Sequence, residues 1–129
     1  MTQLQLKNHK LWQDLTDILE NLDVNTLIKE HLEECDYKIC GYWDEQDKYY
    51  EEITLPRSLE AELISSSASV TNKEHLLQLK LLLKVLNNHD VYMQNSEKLG
   101  ELTLVYNDNL EFIDENWLLD TESPLLGKI

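Results

Sequence analysis

The stretch from Cys40 to Pro56, CGYWDEQDKYYEEITLP, sets four aromatic rings among five carboxylates. Three kinds of chemistry could use such residues: cation chelation, acid/base catalysis, and recognition of a basic surface. The run Asp44-Glu45-Gln46-Asp47 has the composition of a cation-binding loop. It lacks the glycine and the spaced terminal glutamate of an EF-hand loop. His31 and Glu34 stand at helical spacing for a metal, but no second pair accompanies them. His31 also falls on an apolar stripe, where a packed core histidine is expected. Adjacent acids such as Glu51 with Glu52, or Asp114 with Glu115, could serve acid/base work. Nothing in their spacing separates them from the other acids. Cys40 beside Gly41 could act as a nucleophile, yet no histidine is tied to it by a local motif. The chain holds no GxGxxG, Walker loop, GxSxG or HExxH. The expectation is a protein that is not an enzyme, with no catalytic residue, no metal and no cofactor.

Recognition of a basic surface fits the stretch better. Carboxylates steer an encounter and pair with Arg or Lys. Tyr and Trp supply the anchors that dominate interface energetics, and their rings stack on guanidinium groups. The residues expected to contact a partner are Tyr42, Trp43, Asp44, Glu45, Asp47, Tyr49, Glu51 and Glu52. A second group is Asp108, Glu111, Asp114 and Glu115, with Tyr106 nearby. The whole chain supports this, with 25 acids against 11 bases and a net charge of -14. Such a charge attracts basic partners and repels nucleic acid and anionic membranes. The acids are also unevenly spread. Residues 30–62 carry eleven acids and three bases, and residues 90–129 carry nine and two. Residues 63–89 carry one acid and three bases.

Elements must position these groups. Leu11, Leu15, Ile18 and Leu22 form an apolar stripe that predicts a helix over about 7–22. Val24, Leu27, Ile28, His31, Leu32 and Cys35 predict a second helix, with Asp23 as N-cap. Residues 37–43 and 49–55 alternate around a polar tetrapeptide and read as a hairpin. Pro56 ends the second strand and can open a short helix through Leu59, Leu63 and Ile64. Ser65 to Ser69 reads as a loop. Thr71 and Glu74 form a capping box ahead of HLLQLKLLLKVLNN, which predicts a long central helix to His89. Residues 101–106 and 110–113 flank Asn107-Asp108-Asn109 as a second hairpin. The order ααββααββ predicts an α+β fold, with helices packed on a small antiparallel sheet built from the two hairpins. The acids of both hairpins would then pool on one sheet, with the basic helix behind it. One domain over residues 1–129 is expected, with 120–129 free to fray.

Compartment follows from what is missing. The N-terminal residues contain no long apolar run of the kind a signal peptide needs. No stretch approaches the ~18 apolar residues of a membrane span. Cys35 and Cys40 are close in sequence, so a bridge between them would contribute little, and they are expected as free thiols in the cytoplasm.

In size and acidity the chain resembles bacterial immunity proteins, which neutralise secreted nuclease or other toxin domains. That resemblance is one of class and rests on no family motif. It implies a small cytoplasmic inhibitor that masks a basic toxin's cleft. Two alternatives share the composition. One is a phage-type inhibitor that mimics nucleic acid, which an interleaving of aromatics fits less well. The other is an adaptor or assembly subunit, with a dimer seam along the segment from Thr71 to His89. The chain itself is expected as a monomer or homodimer.

Overall fold

A computed structural model of the chain describes residues 10–87 and 95–129. The expected start of the first helix at residues 7–9, and Asn88 and His89 at the end of the expected central helix, lie outside the described residues. Two helices open the described chain, α1 (Lys10–Asn21) and α2 (Val24–Glu34). Asp23 caps α2 as its composition predicts. One carboxylate oxygen accepts the Thr26 N–H at 3.2 Å and the other accepts the Thr26 hydroxyl at 2.8 Å. Asp36 and Tyr37 then take left-handed backbone angles, with φ of 55° and 58°. The Tyr37 N–H donates to the Leu32 carbonyl at 2.8 Å, which closes the helix end. Arg57 fixes this corner by pairing with Asp36 at 2.8 Å and lying over the Tyr37 ring at 4.6 Å.

The rest of the chain is strand. β1 (Lys38–Trp43) and β2 (Tyr49–Thr54) form the first hairpin. β3 (Glu60–Val70), β4 (His75–Asn87), β5 (Asn95–Tyr106) and β6 (Phe112–Leu119) follow in a meander, and β7 (Gly127–Lys128) returns to β2. All pairings are antiparallel. They make one sheet in the order β1-β2-β7 and another in the order β3-β4-β5-β6.

This overturns the expected α+β arrangement of helices on a small two-hairpin sheet. The molecule is mostly β, and only two helices occur among the described residues. The segment expected as the central helix is β4, and the short helix and serine loop before it are β3. The physical reason is alternation. Leu77, Leu79, Leu81 and Leu83 line one face of β4 and Gln78, Lys80 and Lys84 the other, with Leu79, Leu81 and Leu83 buried. The Thr71 and Glu74 motif exists but closes a β-turn. The Thr71 hydroxyl accepts the Glu74 N–H at 3.0 Å, while the Thr71 N–H donates to the Glu74 carbonyl at 2.8 Å. The two hairpins also lie in different sheets, so their acids do not pool on one sheet face. Lys80 and Lys84 are not on a helix behind the sheet. They stand on its outer face, paired with Glu101 and Glu62 at 3.4 and 3.3 Å.

The core fills the space between the sheets and α2. Ile28 and Leu32 from α2 meet Ile53, Leu55 and Leu59, and then Leu81, Leu83, Leu99, Leu102 and Leu104 from the larger sheet. Burying a leucine-sized side chain stabilises the fold by roughly 2 kcal/mol. The segment after β6 is tied in by Leu126, which is buried, and by Ile129, whose N–H and carbonyl bond to the backbone of Glu52 and Glu51.

Candidate partner-binding surface

The β1–β2 hairpin carries eight of the twelve residues expected at a partner surface, and the structure sorts them. Its alternation breaks at Gly41, whose φ is +71°. Before it, Ile39 and Ile53 face the core. After it, Tyr42 and Tyr50 face the core, and Trp43 and Tyr49 turn to solvent. Trp43 is 62% exposed and Tyr49 49% exposed, and their rings pack against each other with centroids 4.9 Å apart. Tyr42 is a core residue instead. Its hydroxyl accepts the Leu119 N–H at 2.9 Å and so joins the two sheets.

Asp44 is also structural. One oxygen accepts the N–H groups of Gln46 and Lys48, each at 2.9 Å. The other lies 3.4 Å from the hydroxyls of Tyr50 and Thr121. The Lys48 N–H leads the causes that hold its carboxyl below the usual range, against a smaller opposing effect of burial. Glu45, Asp47 and Glu51 are exposed, and none has a cation within 4.0 Å among the described residues. Glu52 is half-buried and lies 4.0 Å from the Lys38 ammonium.

The second group stands apart from the first. Asp108 and Glu111 sit at the β5–β6 turn, where the Asn107 side chain accepts the Glu111 N–H at 3.0 Å. The Asp114 carboxylate accepts the Glu115 N–H at 2.8 Å. Glu115 pairs with His31 of α2. His31 is packed edge-on to Phe112 with centroids 5.0 Å apart. The Asp44 turn meets Thr121, just beyond the far end of β6. Eight residues of strand, roughly 25 Å, separate Asp108 and Glu111 from that end, and Asp114 and Glu115 lie along the strand between.

A different set of acids does converge on the first hairpin. Its turn faces the residues after β6 across a cleft of about 400 Å³. Gly100, Leu118 and Leu119 line its apolar part. Asp44, Glu45, Glu101, Asp120 and Glu122 supply carboxylates, and Lys98 the one ammonium among the described residues. Burial pushes the Glu101 carboxyl up, but Lys80 and Lys98 outweigh it, and the group stays below its usual range. Glu101, Asp120 and Glu122 have no local sequence signature. The one signal for them is the run from Leu99 to Gly127, which holds seven acids and no base.

No protein-family model matches this chain, and neither does any curated protein or solved structure. The surface therefore has to be read from its own chemistry. Among the described residues, no group of three or more His, Cys, Asp or Glu side chains is placed to hold a metal ion. Cys35 and Cys40 are exposed and unbridged. No described helix is long and apolar enough to cross a membrane.

Proposed function

We propose that this chain is a small cytoplasmic binding protein that masks a basic protein surface, in the manner of an immunity protein against a nuclease-like toxin. The observation that carries this reading is the exposed Trp43–Tyr49 pair on the hairpin that also bears Glu45, Asp47 and Glu51, none of which has a cation within 4.0 Å among the described residues. Exposed aromatic pairs bury readily against a partner and supply the anchoring area of an interface. Uncompensated carboxylates around such an anchor favour Arg and Lys opposite them. The acidic cleft beside the hairpin extends the same charge toward Asp120 and Glu122.

The test uses the double variant Trp43→Ala with Glu51→Lys. Proteins captured from host lysate at low salt are identified, and the affinity of the purified basic candidate is measured for wild type and variant. Loss of the anchor and reversal of one charge should weaken binding by about 100-fold or more. Binding by the wild type should also weaken with salt, mainly through a slower on-rate. A folded double variant that binds as wild type does would remove the hairpin from the interface.

A further inference from the structure

An unpaired sheet edge presents free N–H and C=O groups and can template another strand, so natural sheets blunt their edges. Three of the four edges here are blunted. β1 is six residues long, carries Lys38 and kinks at Gly41. β7 has two residues. β6 carries Asp114 and Glu115, and its Leu119 N–H is taken by the Tyr42 hydroxyl. The fourth edge, β3, touches α1 and α2, and among the described residues its backbone is tied only in its first half. There the Ala61 N–H donates to the Asn25 side chain at 2.9 Å, and a bulge follows between Leu63 and Ser65. From Ser65 to Val70 the strand has no charge, no proline and no bulge, and all but Ser66 are exposed.

Two hydrogen bonds fix which amides face that open edge. The Ala61 N–H points outward to Asn25, and the Thr71 N–H points inward to Glu74. Hydrogen-bonded and non-hydrogen-bonded pairs alternate along an antiparallel ladder. With the pairs Ser66↔Leu79, Ala68↔Leu77 and Val70↔His75, the N–H and C=O groups of Ser66, Ala68 and Val70 point away from β4. None of the three amides has another backbone acceptor among the described residues.

Charge says what fits there. The ten residues from Leu63 to Asn72 carry no charge, in a chain of net charge -14. Two copies repel one another over most of their surface, and this edge is where they can approach. A basic partner gains nothing from a neutral edge and is drawn to the acidic hairpin instead. We propose that the outer half of β3 pairs with the same edge of a second copy about a two-fold axis, merging the two four-stranded sheets into one. An isologous contact of this kind is self-complementary. Antiparallel pairing centred on Ala68 sets that residue against its own counterpart and Ser66 against the counterpart of Val70. Each such pair exchanges two hydrogen bonds, and the small side chains let the strands close.

The test is sedimentation of the whole chain over a concentration series at low and high salt. Wild type should approach twice the 15.2 kDa chain mass. The dimer should strengthen with salt, because screening relieves like-charge repulsion. That response is opposite in sign to the one expected for a basic partner, so the failure of either reading is distinguishable. Ala68→Pro removes the outward N–H and leaves the ladder to β4 intact. It should raise the dimer dissociation constant about tenfold or more with an unchanged circular dichroism spectrum. If that variant misfolds, Ala68→Asp reads the same contact by setting two like charges at the axis. The Ala68 amide should also exchange more slowly with deuterium as the dimer forms. Wild type remaining at the chain mass in both salts would overturn the proposal, as would folded variants that dimerise like wild type.

Discussion

Leu110 holds a backbone conformation that leucine rarely adopts, with φ of 60° at the β5–β6 turn. The sequence places Asn and Asp residues just before it, at 107–109, where positive φ would be tolerated. The turn instead uses Asn107 as an acceptor for the N–H groups of Asn109 and Glu111, and that pushes the left-handed position onto Leu110. A leucine in that region costs about 1–2 kcal/mol, and at 62% exposure its side chain recovers little by burial. Leu110→Asn should therefore raise stability by about 1 kcal/mol, read as a thermal midpoint a few degrees higher. No gain, or a loss, would mean that the Leu110 side chain contributes more than its exposure implies. Gly41 gives the parallel lesson on the first hairpin. Tyr42 and Trp43 are neighbours in a strand, so one had to face in and the other out. Composition placed both at a partner surface, and the break in alternation at Gly41 decides that Trp43 is the one exposed.

The elements were legible in part. The two helices and the first hairpin lie where period and turn residues place them, because each is specified by short-range signals; the second hairpin turns just after Asn107, but its second strand is Phe112–Leu119 and not 110–113. β3 and β4 were not, since leucine-rich runs satisfy both periods. Lys80 and Lys84 lie on one side of a helix and equally on one face of a strand. Gln78 separates the two readings, because it falls on the apolar side of that helix but on the polar face of the strand. The serines of β3 read as a loop by composition, and only pairing with β4 makes them a strand. At the start of β6's partner ladder, Gly100 is where the meander is tightest. Its φ is +151°, and a Cβ there would lie 2.2 Å from the Leu118 carbonyl oxygen and 2.9 Å from the Leu119 Cα. Both neighbours are backbone, so neither can swing aside. Gly100→Ala should cost about 3 kcal/mol or more. A urea midpoint close to that of wild type would show that the β5–β6 pairing can open at this point without penalty.

At the scale of the whole molecule, acid acts in two directions. Protonation relieves the self-repulsion of a net charge of -14. It also removes carboxylates that the fold holds ionised. Asp23, Asp44 and Glu101 all titrate below their usual range. A group with a depressed folded pKa contributes stability that is complete above its unfolded value and is lost as pH falls through the folded one. Asp44→Asn isolates one such group from the global repulsion. It should unfold at lower urea than wild type near neutral pH, and the gap should close below about pH 4 as the wild-type carboxyl protonates. A gap that stays constant down to pH 3 would show that the charge of Asp44 has no part in fastening the turn. The same whole-molecule view gives β7 a role in time as well as in space. β4, β5 and β6 are each paired with the strand before them, so the larger sheet can zip up in order as the chain leaves the ribosome. β2 has to wait for β7 until that entire meander has been made. The aromatic and acidic hairpin thus gains its full support later than the meander, and nascent chains should fix the Trp43–Tyr49 hairpin only after residues 127–129 have cleared the exit tunnel.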